Sequence, residues 1–79
     1  MDANEFKELA EVVLKSLVDS PDELSVEVTS STKNFVLTIS MPDEEVGEVI
    51  GKQGNLKYAL QTVFRAATRG KGTVFEFVP

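Results

Sequence analysis

Two hydrophobic periods take turns along this chain, and their order is what most limits how it can fold. From Asp2 to about Val18, Phe6, Leu9, Ala10, Val13, Leu14 and Leu17 recur every three or four residues, which predicts an amphipathic helix. Asp2 followed three residues on by Glu5 fits a helix-capping pair, and Ser20-Pro21-Asp22 stops the helix. The period then switches to two. Leu24 to Thr29 and Phe35 to Met41 alternate apolar with polar residues, and the polar Ser30 to Asn34 between them suits a hairpin. Leu24, Val26 and Val28, with Phe35, Leu37, Ile39 and Met41, are expected to face one core, leaving the other sheet face polar apart from Val36.

The helical period returns after Pro42. That proline, with Asp43, Glu44 and Glu45, is a strong helix start, and Val46, Val49 and Ile50 give the short helix an apolar side. Gly51 follows, where a left-handed terminal residue is expected. A further helix opens after Gly54 and carries Leu56, Ala59, Leu60, Val63, Phe64 and Ala67 to about Thr68. Gly70-Lys71-Gly72 breaks it, and Thr73 to Val78 reads as a third strand before Pro79. The order is therefore α-β-β-α-α-β. Two helices between the second and third strands favour parallel pairing of those strands. The expected fold is α+β: a two-layer sandwich of a three-stranded mixed sheet with three helices on one face. Its 79 residues suffice for one domain, 1–79, with room for only one core. A domain this small buries only a little over about 60% of its unfolded surface, so a partner chain would help its stability.

Composition narrows the chemistry. Without cysteine there is no thiol nucleophile, disulfide or zinc-thiolate site, and without histidine the commonest metal ligand and general base is missing. No carboxylate pair falls in an evident cleft, so no enzyme is expected. Asp43, Glu44, Glu45 and Glu48 are read as a solvated face complementing a helix dipole, and no metal or cofactor is assigned. The start Met1-Asp2-Ala3-Asn4-Glu5 has neither the basic region nor the apolar stretch of a signal peptide, so the expected location is the cytoplasm. The net charge of −5, taken as a total, argues against a polyanionic partner. Its distribution argues for one. From Val49 to Phe75 there is no acidic residue, while Lys52, Lys57, Arg65, Arg69 and Lys71 are all basic, so a basic surface is set within an acidic chain.

The run Val49-Ile50-Gly51-Lys52-Gln53-Gly54 puts two glycines around two polar residues where two helices meet. Glycine lets backbone approach a ligand closely, and the first turn of the next helix offers unpaired N–H groups to an anion. Lys52 adds a mobile cation, Gln53 a donor to phosphate or sugar oxygen. Val46, Val49, Ile50 and Leu56 could form an apolar floor for unstacked bases, which suits a single strand. A nucleotide-hydrolysing phosphate loop is disfavoured, because Gln53 stands where serine or threonine must hold magnesium.

Ile50-Gly51-Lys52-Gln53-Gly54, set between two helices in this element order, resembles the GXXG loop of a type II KH domain. Over essentially its whole length the chain is similar to the small bacterial single-KH-domain RNA-binding proteins of the KhpA kind. The resemblance implies that Gly51, Lys52, Gln53 and Gly54 grip the backbone of about four nucleotides of single-stranded RNA, with Ile50 at the groove floor. Lys57, Arg69 and Lys71 are added as basic neighbours of the site. It further implies a homodimer, or a heterodimer with a larger KH-containing protein, and a chaperone-like role in post-transcriptional RNA handling. The segment Arg69 to Gly72 stands where a type II domain has its variable loop, and here it is short. Tyr58, Phe75 and Phe77 are read as packing residues rather than base-stacking platforms. Phe64, Tyr58 and Phe77 also exceed what so small a core needs, which suggests the helix after Gly54 and the third strand as the dimer surface. Two alternatives stand beside RNA binding: a dimerisation or docking module, and a helix-turn-helix DNA binder presenting Asn55 and Lys57.

Overall fold

Asp2 caps the first helix by accepting the Glu5 N–H at 2.8 Å, and the Glu5 carboxylate accepts the Asp2 N–H at 3.0 Å in return. This reciprocal pair fixes the start of α1 (Ala3–Lys15). The computed structural model describes residues 1–78; Pro79, expected to follow the third strand, lies outside the described residues. After α1 the chain passes through a single 3₁₀ turn, Pro21–Glu23, into β1 (Ser25–Ser30) and β2 (Asn34–Ser40). A second 3₁₀ turn, Asp43–Glu45, leads into the five-residue α2 (Val46–Ile50). A tight turn then opens α3 (Asn55–Ala67), and β3 (Gly72–Val78) follows. The fold is α+β with the order α-β-β-α-α-β, consistent with the type II KH fold.

β2 is the central strand. It pairs antiparallel with β1, Val26 opposite Ile39 and Val28 opposite Leu37. It pairs parallel with β3, Leu37 opposite Phe75 and Ile39 opposite Phe77, as the two-helix crossover requires. Alternation sends Val26, Phe35, Leu37, Ile39 and Phe75 into the core, where all are buried. The opposite face carries Ser25, Glu27, Thr29, Val36, Thr38, Ser40, Val74, Glu76 and Val78, so Val74 and Val78 join Val36 as apolar members of that face.

The core is organised around an aromatic group drawn from α1, β2, α3 and β3. The Phe6 ring of α1 stacks on Phe35 of β2 at 4.7 Å and meets Phe64 of α3 edge-on at 5.2 Å. Phe64 in turn lies 6.2 Å from Phe75 of β3. Phe64 is therefore a core residue, fully buried, and not part of the surplus that the sequence suggested for a dimer surface. Among the described residues no helix is long and apolar enough to cross a membrane.

Candidate nucleic-acid interface

The two-glycine turn depends on backbone shapes that L side chains resist. Gly51 has φ 77° and ψ 175°, a mirror-image extended conformation that is essentially confined to glycine, and not the left-handed helical one the sequence suggested. The left-handed residues are the next pair: Gln53 (φ 56°, ψ 25°) and Gly54 (φ 76°, ψ 9°). The Gly54 N–H donates to Gly51 O at 3.2 Å and closes the turn, while the Gly51 N–H donates to Gly47 O at 2.8 Å and ends α2. Lys52 and Gln53 are left exposed at the tip. The turn abuts the N-terminus of a 13-residue helix, where free N–H groups and the helix dipole both favour an anion.

Of the expected apolar floor, Val46, Ile50 and Leu56 are half-buried beside the turn, whereas Val49 is fully buried in the core. Ile50 through Gly54 thus form one continuous surface. Lys57 is half-buried one turn into α3. Arg69 and Lys71 lie beyond the other end of that helix, about 20 Å away at 1.5 Å of rise per residue. There they border a hollow of about 570 Å³ with Lys33 and Arg65. Lys71 is engaged locally: its Nζ donates to Ser30 Oγ at 2.6 Å and sits 4.2 Å above the Phe35 ring. The expected site residues therefore fall into two groups at opposite ends of α3.

Among the described residues the three ion pairs all involve α1, through Lys7, Lys15 and Glu11 and their link to Glu27. None of the five cations between Val49 and Phe75 takes part in one, although Lys71 is held over Phe35 and bonded to Ser30. Two of the carboxylates read as a solvated face behave differently. Glu45 is buried and accepts the Ser20 N–H at 2.9 Å; Glu48 accepts the Asp19 N–H at 2.9 Å. Both tie the loop after α1 to the start of α2. Partial removal of Glu48 from water, and then the adjacent Asp19 carboxyl, hold its pKa above the usual value of 4.5.

Tyr58 differs most from expectation. It is 76% exposed and packs into no core, because its place on α3 points away from the buried stripe of Leu60 and Phe64. Ala59, expected to be buried, is exposed as well, and Phe77 is half-buried, edge-on to Phe75. Beside Tyr58, a cleft of about 360 Å³ between α3 and β3 is lined by Gln61, Thr62, Arg65 and Thr73. Gln61 and Thr73 were missed by the sequence reading. A lone glutamine in a helical pattern carries no signal, but Thr73 did carry one: a polar residue at an inward strand position shared with Phe75 and Phe77.

The family model of the KhpA/KhpB KH domain matches residues 7–76. The chain is 39% identical over 75 residues to the RNA-binding protein KhpA of Clostridium acetobutylicum, covering 92% of this chain and all of that protein. It is 38% identical to the RNA-binding protein KhpA of Clostridium perfringens over the same share of each chain, and 36% identical to that of Aquifex aeolicus, covering 92% of this chain and 95% of the relative. No solved structure matches significantly.

Proposed function

Since the chain belongs to the KhpA/KhpB family of KH domains, we propose that it binds RNA, and that it holds the backbone of a single strand through the Gly51-Lys52-Gln53-Gly54 turn. The names of its relatives support RNA as the partner. The turn's geometry supports the finer reading. It combines a glycine with open space beside it, Gly54, an exposed cation, an exposed amide and the N-terminus of α3, with no acidic residue in sequence from Val49 to Phe75. The half-buried Ile50, Val46 and Leu56 offer an apolar floor to bases that have left a stack. A grip of about four nucleotides is weak alone, so a chaperone-like role in RNA handling fits a protein that binds many strands briefly. The observation that carries the reading is the pair of exposed polar residues held between two positive-φ glycines at a helix N-terminus.

Multiplication by dimerisation, with a second copy or with a larger KH-containing protein, belongs to the same proposal. Its support is the flank of α3 bearing Ala59, Val63 and Ala66, all exposed, with Val63 57% open to solvent. This flank is separate from the one carrying Gln61 and Arg65. A helix-turn-helix reading gains less support, because Lys57, which it would set in a groove, is half-buried.

The test is fluorescence anisotropy of a labelled mixed-sequence single-stranded RNA, with wild type and a Lys52→Asp, Gln53→Asp variant whose fold is checked by circular dichroism. The expected result is salt-dependent binding by the wild type and none by the folded variant. Equal binding by both, or by neither, would make the turn a helix joint and the protein a partner-binding module.

A further inference from the structure

The helix that carries the two-glycine turn is too short to hold itself. α2 has five residues and no side-chain cap at its start among the described residues, and its last backbone bond, from the Gly51 N–H to Gly47 O, leads straight into the turn. So short a helix is unstable on its own in water, and its direction is set by what it touches. Val49 is its buried side chain. One apolar anchor fixes a point and leaves rotation and tilt about that point open.

Two carboxylates close that freedom. Glu45, the residue before α2, accepts the Ser20 N–H at 2.9 Å, and Glu48 accepts the Asp19 N–H at 2.9 Å. Glu45, Glu48 and Val49 stand three and four residues apart, on one helical face. The donors sit on a stiff mount. Val18 and Leu24 are buried in the core on either side of them, and the 3₁₀ turn Pro21–Glu23 is closed by the Glu23 N–H donating to Ser20 O at 3.0 Å. Glu45 itself is only 8% exposed. Burying a carboxylate costs free energy that an apolar side chain of similar size would not, so its place is better explained by the arrangement it specifies than by stability. Resting on the RNA reading of the turn, we infer that Glu45 and Glu48 are positioning residues for RNA binding: clasped to the Asp19 and Ser20 amides, they hold α2 at the angle from which the Gly51–Gly54 turn meets the strand. Their effect passes through the fraction of molecules whose turn stands ready, since apparent affinity falls in proportion to that fraction. Charge predicts the reverse: removing a carboxylate near a phosphate site should tighten binding.

The experiment is salt-dependent fluorescence anisotropy of a labelled mixed-sequence single-stranded RNA with wild type, Glu45→Gln, Glu45→Leu and Glu48→Leu, each checked by circular dichroism and urea denaturation. Glu45→Leu is expected to bind about fivefold more weakly than wild type, because fewer molecules hold the turn ready. Its salt slope should stay that of wild type, because the bound form makes the same phosphate contacts. Glu45→Gln also lacks the charge but keeps an accepting oxygen, and it should bind within about twofold of wild type. Without RNA, the Gly51 and Gly54 amide resonances should shift in Glu45→Leu and hold still in Glu45→Gln. Should Glu45→Leu fail to fold, Glu48→Leu asks the same question from the half-buried side of the clasp. A folded leucine variant that binds as tightly as wild type, or a Glu45→Gln protein as weak as Glu45→Leu, overturns the clasp and leaves the grip at Lys52 and Gln53 standing. If wild type itself binds no RNA, the reading of the turn fails, and the clasp's part in binding falls with it.

Discussion

Leu56 Cβ lies 2.6 Å from the point where a Cβ on Gly51 would stand, and Leu56 N lies 2.8 Å from it. The turn is thus closed over itself: its first glycine is pressed against the first turn of the helix it precedes. Any side chain at position 51 must both displace that helix start and accept a backbone conformation that only glycine holds comfortably. Gly54 has open space around its missing Cβ and a left-handed conformation that asparagine tolerates. Gly51→Ala is accordingly expected to cost about 3 kcal/mol or more, and Gly54→Asn about 1 kcal/mol or less. Urea denaturation of the two variants checks this; a Gly51→Ala protein as stable as Gly54→Asn would show that the turn relaxes freely.

Lys52 and Lys71 carry the same charge and stand in opposite structural situations. Lys52 is exposed at the tip of the turn, and Lys71 is half-buried over Phe35 and bonded to Ser30. Lys52→Ala should leave the unfolding midpoint unchanged and lower the salt slope of RNA binding by about 0.7, the value for one phosphate contact on a single strand. Lys71→Ala should lower stability by about 1 kcal/mol through the lost contact with the ring. The pair of variants measured by both denaturation and salt-dependent anisotropy separates them. A Lys71→Ala protein with full stability would mean that its contact with Phe35 contributes nothing in solution.

What could be read from sequence and what could not divide along physical lines. The element order, the parallel crossover and the capping pair Asp2 and Glu5 were legible, because each rests on spacing along the chain: period 3.6, period 2, and a fixed offset of three. The two-glycine turn was legible for the same reason. The side of α3 on which Tyr58 falls was not. An aromatic residue near the start of an apolar-periodic helix reads as packing, and only the direction of the helix relative to the sheet shows that it faces solvent. Phe64 was misjudged for the converse reason: Phe6 and Phe35, far away in sequence, close around it. The pairing of Gln61 with Thr73 joins a helix to a strand across the layer, and nothing local announces it.

The Phe6 ring is the point at which α1 is fastened to the rest of the molecule, since it touches both Phe35 of β2 and Phe64 of α3. Truncating a buried phenylalanine costs about 3–5 kcal/mol through lost transfer energy and the cavity left behind. In a fold with so small a core that is a large share of the total. Phe6→Ala is expected to be largely unfolded or molten at 37 °C, and Phe6→Leu to be folded with a reduced midpoint. Exposed Val12, on the same helix, gives the contrast: Val12→Ala should change stability by less than about 0.5 kcal/mol. Thermal melts that ranked Val12→Ala beside Phe6→Ala would overturn this account of the core.

Glu48 and Asp19 make stability depend on pH in a direction opposite to that of most paired carboxylates. The Glu48 carboxylate accepts the Asp19 N–H, but its partial desolvation and then the Asp19 carboxyl beside it raise its pKa above 4.5. A raised carboxyl pKa means that the folded state prefers the protonated form. The contribution is therefore complete below the unfolded value of 4.5 and is lost as pH rises through the higher folded value. Glu48→Gln retains an oxygen to accept the Asp19 N–H and removes the charge, so it abolishes that loss. The melting temperature of Glu48→Gln relative to wild type should increase as pH is raised from 4 to 7, even while other carboxylates move both proteins together. A difference that is flat or falls over that range would show that the loop after α1 and the start of α2 are not held under this repulsion.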